Sequence, residues 1–207
     1  MISEQAIKGS ERGNKILLIL DIDETLIHAT DKILSRQPDF TVFKYHVYKR
    51  PFLDEFLREM KEYFLLAVWS SASEDYVSAI VDQVFPKEWV LEFVWGSSRC
   101  TMKRNLWDDP EAWKENNRWQ EYYSTKPLKK VRRRGYQLDR ILIVDDSPHK
   151  SRQNYGNAIH PAAFEGNPND DELKHLAEYL KLLKDKPTIR NIEKRNWRKQ
   201  VDGSWEG

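Results

Sequence analysis

The sequence predicts an α/β fold in which helices flank a central, mostly parallel β-sheet. Two short aliphatic runs, 16–20 and 141–144, are typical of strands that are buried on both faces. Amphipathic segments with helical spacing alternate with runs of this kind along the chain. Both aliphatic runs end directly on acidic residues. Strands arranged in this way should be joined by right-handed connections.

The elements are expected in the order strand, helix, strand, helix, strand. After the first strand, the alternation of Phe43, Tyr45 and Val47 with polar residues predicts a half-buried strand. Pro51 suits the first position of a helix, and apolar residues then recur at helical spacing as far as Met60. A first amphipathic helix should therefore follow this strand.

The middle of the chain continues the alternation. The run 64–69 predicts the next buried strand, and the apolar spacing within 76–84 predicts a second amphipathic helix. Leu91, Phe93 and Trp95 then alternate with other residues, which indicates a further strand. This part of the chain therefore extends the same α/β pattern.

The last elements carry start signals for helices. Pro127 predicts a helix that precedes the strand at 141–144. Asn169 and Glu172 lie three residues apart and form a plausible capping pair for a final helix. The apolar residues of that helix recur from Leu173 to Leu183.

Composition excludes several classes of protein. The 34 lysines and arginines nearly cancel the 33 aspartates and glutamates, so no overall field attracts nucleic acid or an anionic membrane. The single cysteine, Cys100, rules out an internal disulfide, and no secretory signal is recognisable at the start. No run approaches the roughly 18 apolar residues of a membrane-spanning helix. We expect an intracellular protein, cytoplasmic or nuclear.

The chain of 207 residues suits one domain with an insertion or one domain plus a small lobe. We predict a flexible N-terminal segment at 1–14, a catalytic domain at 15–185 and a polar, basic tail at 186–207. An insertion at about 96–125 is rich in tryptophan and tyrosine, and its aromatic side chains could form a small satellite core or a wall for a peptide. The tail could dock through Trp197 or remain mobile.

Polar side chains follow three of the predicted strands. They are Asp21 with Asp23, Ser70 with Ser71, and Asp145 with Asp146. Ligands bind at the carboxyl ends of parallel strands, so these residues should converge. Clustered carboxylates repel one another, and a hard cation relieves that repulsion.

Lys126 is a fourth polar group that could join the site. It precedes Pro127 and is therefore expected at a helix N-cap, where free N–H groups and the helix dipole favour an anion. Ser70 and Ser71 should begin the second helix in the same way. A lysine, a hydroxyl and a cation held by carboxylates are what a phosphoryl group requires.

These motifs resemble those of a known superfamily. ILLILDIDETL resembles the first motif of the haloacid dehalogenase superfamily, and DIDETLIHA with YKRPFLDEFL resembles its FCP/SCP-like branch of RNA polymerase II C-terminal-domain phosphatases. Ser70 in AVWSSAS, Lys126 and VDDSP resemble the second, third and fourth motifs. The resemblance covers roughly residues 15 to 185. It implies a Rossmann-like fold with a small insertion in place of a large cap.

The resemblance also implies catalytic roles. Asp21 would be the nucleophile that forms an aspartyl-phosphate, and Asp23 would protonate the leaving group and then activate water. Ser70 would bind a phosphoryl oxygen, and Lys126 would offset its charge. Candidate substrate-binding residues are Thr25, Ser71 and Arg99, although Thr25 is better explained as a hydrogen-bonding support of the turn.

Mg²⁺ is the implied cofactor. Its ligands would be Asp21, the backbone carbonyl of Asp23 and the pair Asp145 and Asp146, but the sequence does not say which acid of the pair binds directly. The expected activity is hydrolysis of phosphoserine or phosphothreonine in a protein. Alternatives are a phosphatase for nucleic-acid ends or small molecules, and a phosphopeptide-binding scaffold without turnover. The oligomeric state is not predictable.

Overall fold

The computed structural model describes residues 15–104 and 122–202. The strands of the described residues are β1 (Leu17–Leu20), β2 (Ile27–Thr30), β3 (Phe40–Val42), β4 (Tyr45–Lys49), β5 (Leu65–Trp69), β6 (Val94–Trp95), β7 (Thr101–Arg104), β8 (Tyr122–Thr125), β9 (Ile141–Val144) and β10 (Ala158–Ile159). The helices are α1 (Leu53–Tyr63), α2 (Glu74–Val84), α3 (Lys129–Arg132), α4 (Pro148–Ser151), α5 (Glu172–Leu183) and α6 (Trp197–Val201).

The central sheet is parallel and has the strand order β10-β9-β1-β5-β6. Its middle strand β1 pairs with β5 at Leu17 and Leu65, and with β9 at Leu17 and Ile141. Every residue of β1 and β9 is buried, as expected for strands covered on both faces. The predicted α/β architecture is therefore confirmed, and the ends of β1 and β9 lie side by side.

Alternate residues of β1 contribute to two apolar cores. Leu18 and Leu20 belong to the larger cluster, to which α1, α2 and α5 contribute buried residues. Leu17 and Ile19 face the other side, where they share a smaller cluster with residues of α3 and with Trp69. This double burial fixes the register of β1, because a shift by one residue would exchange the two faces.

A small antiparallel sheet, with the order β2-β4-β3, lies between β1 and α1 in the chain. The strand predicted over Phe43, Tyr45 and Val47 is confirmed for Tyr45 and Val47, which lie in β4, but not for Phe43, because the chain reverses between β3 and β4 and Phe40 pairs with Val47. Phe43 occupies the turn with a φ of 52°, in the left-handed region that few non-glycine residues adopt. No glycine or asparagine marks this turn in the sequence.

Three predicted helix starts need correction. Pro51 lies in a turn, and α1 begins two residues later, after Phe52 with a φ of 65°. Helix α3 begins only after Leu128, so Lys126 is not an N-cap, and its N–H donates to the carbonyl of Lys150 at 2.7 Å. Ser70 and Ser71 do not begin the second helix either, because α2 starts after Ser73.

The predicted capping pair of the last helix is also wrong. Asp171 is the N-cap residue of α5, whereas the N–H of Asn169 donates to the side chain of Asn167 at 3.0 Å. The Glu172 carboxylate accepts the distant N–H of Ala162 at 2.8 Å. A tertiary contact has thus taken the acceptor that the local capping pattern would have used.

Two peripheral segments complete the described fold. Strands β7 and β8 form an antiparallel ribbon within the predicted insertion, while Trp107, Trp113 and Trp119 lie outside the described residues. The C-terminal segment docks as far as residue 202 through Trp197, which is buried and donates its indole N–H to the carbonyl of His160 at 3.1 Å. The C-terminal segment therefore docks through Trp197 as far as residue 202, which is the first of the two alternatives for the tail.

Candidate active site

Three carboxylates meet at the carboxyl ends of β1 and β9. Asp21 follows β1, and its N–H donates to the carbonyl of Val144 in β9 at 2.9 Å. Asp145 and Asp146 follow β9. One carboxylate oxygen from each of Asp21, Asp145 and Asp146 lies within 4.8 Å of the others. The structure thus brings together acids that lie more than 120 positions apart.

Lys126 reaches the same point from the end of β8. Its side chain is fully buried, and its Nζ lies 2.8 Å from Asp21 Oδ2 and 2.6 Å from Asp145 Oδ2. A buried ammonium group requires paired charges, and the two carboxylates supply them. Lys126 therefore joins the site through its side chain and not through a helix terminus.

A second lysine, Lys150, was not among the predicted site residues. Its Nζ lies 3.1 Å from Asp21 Oδ2 and 3.6 Å from Asp145 Oδ1. Pro148 is the first residue of α4, so Lys150 lies in this short helix, six residues after the end of β9. This short spacing from the acid pair is the signal that could have revealed it.

The charges of this cluster set its protonation. Burial opposes ionisation of Asp21, but the positive charges of Lys126 and Lys150 outweigh it and lower the pKa of Asp21 to about 2. Burial and the negative charge of Asp21 raise the pKa of Asp145 above the ordinary aspartate range. Asp21 is therefore an anionic carboxylate at neutral pH, although it is almost completely buried.

Asp23 points to a different side of the site. Its carboxylate accepts hydrogen bonds from the Ser70 hydroxyl at 3.3 Å and from the Tyr76 hydroxyl at 2.6 Å. Burial raises the pKa of Asp23, and the negative charge of Asp21 adds to the increase. A carboxyl group that keeps its proton more readily is suited to proton transfer. Sequence reasoning did not single out Tyr76 for this position.

Hydrogen bonds from side chains fix the turn after β1. The hydroxyl of Thr25 donates to Asp146 Oδ1 at 3.3 Å and accepts the N–H of Asp146 at 3.1 Å, which supports the structural explanation of this residue. Arg50 is buried and donates to the carbonyl of Thr25 at 3.1 Å and to both carboxylate oxygens of Asp170 at 2.7 and 2.9 Å. These contacts hold the acid-bearing loops in place.

An open cavity of about 390 Å³ adjoins Asp23. Its lining consists of Asp23, Glu24, Ala29, Phe43, Tyr45, Ala72, Ser73 and Tyr76. The rings of Tyr45 and Tyr76 pack edge to face with centroids 5.9 Å apart. Burial and the charges of Asp23 and Asp146 raise the pKa of Glu24 to about 7. The lining of the cavity therefore combines acidic and aromatic side chains.

Two predicted substrate-binding residues lie to the side of the acid cluster. The hydroxyl of Ser71 lies 3.4 Å from that of Ser124 in β8. The guanidinium group of Arg99 is exposed and lies over the ring of Trp95, 5.5 Å from its centroid. The roles of Ser71 and Arg99 in substrate binding remain predictions.

The donor set fits a hard divalent cation. Asp21, Asp145 and Asp146 offer only carboxylate oxygens, which Mg²⁺ prefers as protein ligands. The low pKa of Asp21 keeps one of these ligands ionised. If all three carboxylates were ionised, they would carry one negative charge more than Lys126 and Lys150 balance.

The order of the parallel sheet, the buried aspartate at the end of its central strand and the second acid two residues later are those expected from the resemblance to phosphatases of the haloacid dehalogenase superfamily. The family model for NLI interacting factor-like phosphatases matches residues 16–190, and the chain belongs to this family. The family resemblance, the fold class and the phosphatase assignment at the level of the family are thereby confirmed.

Individual relatives agree with this placement. The chain is 27% identical over 181 residues to human carboxy-terminal domain RNA polymerase II polypeptide A small phosphatase 1, with 84% of this chain and 61% of the relative covered. It is 27% identical over 195 residues to a Caenorhabditis elegans CTD nuclear envelope phosphatase 1 homolog, with 87% and 71% covered. The chain thus spans less than two thirds of the human relative.

Solved structures support the fold. The structure of Fcp1, an essential RNA polymerase II CTD phosphatase, is similar with a TM-score of 0.55 and 15% identity, covering 98% of this chain and 65% of that chain. At this identity the likeness concerns the fold alone. Among the helices of the described ranges, none is both long enough and apolar enough to cross a membrane.

Proposed function

We propose that the chain is a Mg²⁺-dependent phosphomonoester hydrolase that works through an aspartyl-phosphate, and that its substrates are phosphoserine or phosphothreonine residues of proteins. The observation that carries this proposal is the state of Asp21. Its carboxylate is buried, yet two lysines 2.8 and 3.1 Å away keep it ionised. An anionic nucleophile beside positive charge is what attack on a phosphate dianion requires.

In the first step, an oxygen of Asp21 bonds to phosphorus while the bond between phosphorus and the leaving oxygen breaks. Lys126 lies beside the attacking carboxylate and offsets the charge that the phosphoryl group brings. The hydroxyl of Ser70, which follows β5 and now donates to Asp23, would hydrogen-bond a phosphoryl oxygen.

Asp23 supplies the proton. It would donate to the leaving oxygen in the first step and take a proton from the hydrolytic water in the second, which releases phosphate and restores the carboxylate of Asp21. Its raised pKa and its contacts with Ser70 and Tyr76 support this assignment.

A magnesium ion would be held by Asp21, Asp145 and Asp146, together with the backbone carbonyl of Asp23. When bound, it supplies charge neutralisation between the carboxylates and the phosphoryl oxygens. Asp21 remains the nucleophile in this scheme, and Lys126 remains its permanent partner.

The open cavity supports a bulky substrate. It begins at Asp23, where the leaving group would lie, and continues to the exposed ring of Phe43. A peptide could therefore extend from the reacting phosphate along this surface. Relatives are named as phosphatases of the RNA polymerase II carboxy-terminal domain or of the nuclear envelope, so a phosphoprotein substrate and a nuclear location are the corresponding proposals for this chain.

The first test is hydrolysis of p-nitrophenyl phosphate with and without Mg²⁺. Asp21→Asn should lower kcat by at least about 10³-fold, since the amide is a poor nucleophile. Asp31→Asn, at an exposed aspartate, serves as the matched control and should equal the parent. Equal, measurable rates for Asp21→Asn and the parent would refute the nucleophile assignment, whereas no turnover by either protein would favour a binding scaffold.

The second test compares substrate classes. We expect kcat/KM to be highest for a phosphoserine peptide, lower for an oligonucleotide with a terminal phosphate and lowest for sugar phosphates. The open aromatic cavity offers contacts to a peptide that a sugar phosphate cannot use. A higher kcat/KM for the oligonucleotide than for the peptide would replace the protein substrate with a nucleic-acid end.

A further inference from the structure

Lys150 lies in the space between carboxylates that would hold the metal ion. Its ammonium group contacts both Asp21 and Asp145, and Asp21 belongs to the carboxylate set with Asp145 and Asp146. Two cations that share the same carboxylates repel each other, and they do so strongly where water is scarce. The position of Lys150 therefore bears directly on how tightly the site binds a divalent ion.

The backbone of Lys150 is held firmly in this place. Its carbonyl accepts the N–H of Lys126 at 2.7 Å, and its own N–H donates to the carbonyl of Ser147 at 3.1 Å. The segment that carries Lys150 is thus joined to the segment that carries the other lysine. Any movement of the Lys150 ammonium group must come from its side chain.

The two lysines are not equivalent. Lys126 is fully buried and makes contacts of 2.6 and 2.8 Å, whereas the side chain of Lys150 is 17% exposed and makes contacts of 3.1 and 3.6 Å. Lys126 has no path to solvent, but the flexible four-carbon stem of Lys150 can carry its ammonium group outward. Lys150 is therefore the lysine whose ammonium group can move away from the carboxylates.

We propose that Lys150 is an internal counter-ion that competes with the divalent metal ion for the carboxylates of Asp21 and Asp145, so that metal binding displaces its ammonium group. This inference rests on the cation site of the proposed function. Lys150 neutralises the carboxylates when no metal ion is bound and weakens the affinity for the metal ion. Removal of the ammonium group should therefore tighten binding of the ion.

The test measures Mn²⁺ binding to the full chain by isothermal titration calorimetry and by the loss of the free Mn²⁺ electron paramagnetic resonance signal. Lys150→Met keeps the length of the side chain and removes its charge. We expect this variant to bind Mn²⁺ at least about tenfold more tightly than the parent, which corresponds to about 1.4 kcal/mol. Lys129→Met, at an exposed lysine three residues after Lys126, is the control and should match the parent.

A second readout uses stability. Ligand binding raises the unfolding temperature according to the affinity for the folded state. At one subsaturating concentration of Mg²⁺, the increase in Tm over the value in EDTA should therefore be larger for Lys150→Met than for the parent. Lys150→Gln should behave like Lys150→Met, and circular dichroism confirms that each variant is folded.

Mn²⁺ affinity of Lys150→Met that is equal to or weaker than that of the parent would overturn the proposal, and so would a failure of both proteins to bind the ion. Failure of the proposed function is detected separately, because the phosphatase assay compares Asp21→Asn with the parent and does not depend on the Lys150 variants. Mn²⁺ binding that is detected only in Lys150→Met would also support the proposal, because it would mean that Lys150 excludes the ion from the parent.

Discussion

The two sides of the active site are built in different ways. On the sheet side, Asp21, Asp145 and Lys126 are each at most 1% exposed and are held by paired charges at the ends of β1 and β9. On the cavity side, Asp23 and Phe43 lie on a loop and a hairpin turn, and the Phe43 side chain is 68% exposed. The sheet side positions charge, and the cavity side is open to a substrate.

This difference indicates how the chemistry and the selectivity are divided. Charges that stabilise a transition state must be fixed before the reaction, and a buried sheet edge provides that rigidity. Recognition of a long substrate requires exposed surface, which the hairpin turn with Phe43 provides. Substitutions on the sheet side should therefore reduce turnover of every substrate, whereas those on the cavity side should discriminate between substrates.

Lys126→Met should have the largest effect, because it leaves Asp21 and Asp145 buried without their closest positive partner. We expect kcat/KM to fall at least about 10³-fold for both p-nitrophenyl phosphate and a phosphopeptide. The free energy of unfolding should fall by about 3 to 5 kcal/mol, as is typical when a buried ion pair is broken. Steady-state kinetics and urea unfolding in EDTA measure the two effects.

Lys129→Met again provides the matched control for this substitution. If Lys126→Met is too unstable for kinetics, Lys126→Arg keeps the charge but changes its geometry, and it should fold while losing most activity. Activity of either Lys126 variant within threefold of the parent would contradict the role of this lysine.

Tyr76→Phe should separate the two kinds of substrate. The variant removes the 2.6 Å hydrogen bond to Asp23 and retains the aromatic ring. We expect kcat for a phosphoserine peptide to fall about 10- to 100-fold, because the serine alkoxide needs a well-placed proton donor. The first step with p-nitrophenyl phosphate, measured as the burst of p-nitrophenol, should change less than about threefold, because its leaving group needs no proton.

Tyr45→Phe is the control for Tyr76→Phe, since Tyr45 packs against the same ring and lines the same cavity. It should change kcat for neither substrate more than about threefold. An equal loss in the rate of the first step for both substrates in Tyr76→Phe would show that Tyr76 maintains the structure of the site and does not position the proton donor.

The sheet side could be predicted from the sequence for a physical reason. Its strands are buried on both faces and therefore appear as aliphatic runs, and its acids stand directly after those runs. The chain itself thus marks where Asp21 and Asp145 lie. Parallel pairing of neighbouring strands then determines that they meet.

The cavity side was less predictable because its geometry depends on tertiary structure. Phe43 adopts a left-handed conformation without the glycine or asparagine that usually signals one. Tyr76 belongs to the apolar face of α2 in the sequence, and only the packing of that helix shows its hydroxyl beside Asp23. Arg50 meets Asp170 across 120 positions, a pairing that no local pattern indicates.

Phe43→Gly should weaken recognition and leave the chemistry intact. The Phe43 ring lines the cavity, so its loss should raise KM for a phosphopeptide about three- to tenfold without changing kcat for p-nitrophenyl phosphate. Glycine adopts the observed φ of 52° without strain, so the variant should also be as stable as the parent or up to about 1 kcal/mol more stable.

Phe52→Gly is the matched control, because Phe52 also has a left-handed φ and an exposed ring but does not line the cavity. It should change stability in the same direction and leave KM for the peptide unaltered. A similar increase in KM for both variants would place the recognition surface elsewhere.

Glu24→Gln should show the smallest effect. It tests whether the charges of the buried carboxylates influence the protonation of Glu24 on the cavity side. Burial and the negative charges of Asp23 and Asp146 raise the pKa of Glu24 from 4.5 to about 7. Between these pH values the folded protein binds a proton that the unfolded chain has released, so the stability of the parent falls as the pH rises. Glutamine cannot ionise, so the variant should not lose stability in this way as the pH rises.

The variant should therefore match the parent near pH 4 and be more stable at pH 8. Glu24 is 39% exposed, and solvent screening limits the difference to about 1 kcal/mol or less. Urea unfolding in EDTA at pH 4, 6 and 8 measures it, with Asp31→Asn as the exposed control. A difference that stays constant across this range would mean that Glu24 does not sense the charge of the carboxylates, and that the open side of the site is electrostatically independent of the buried one.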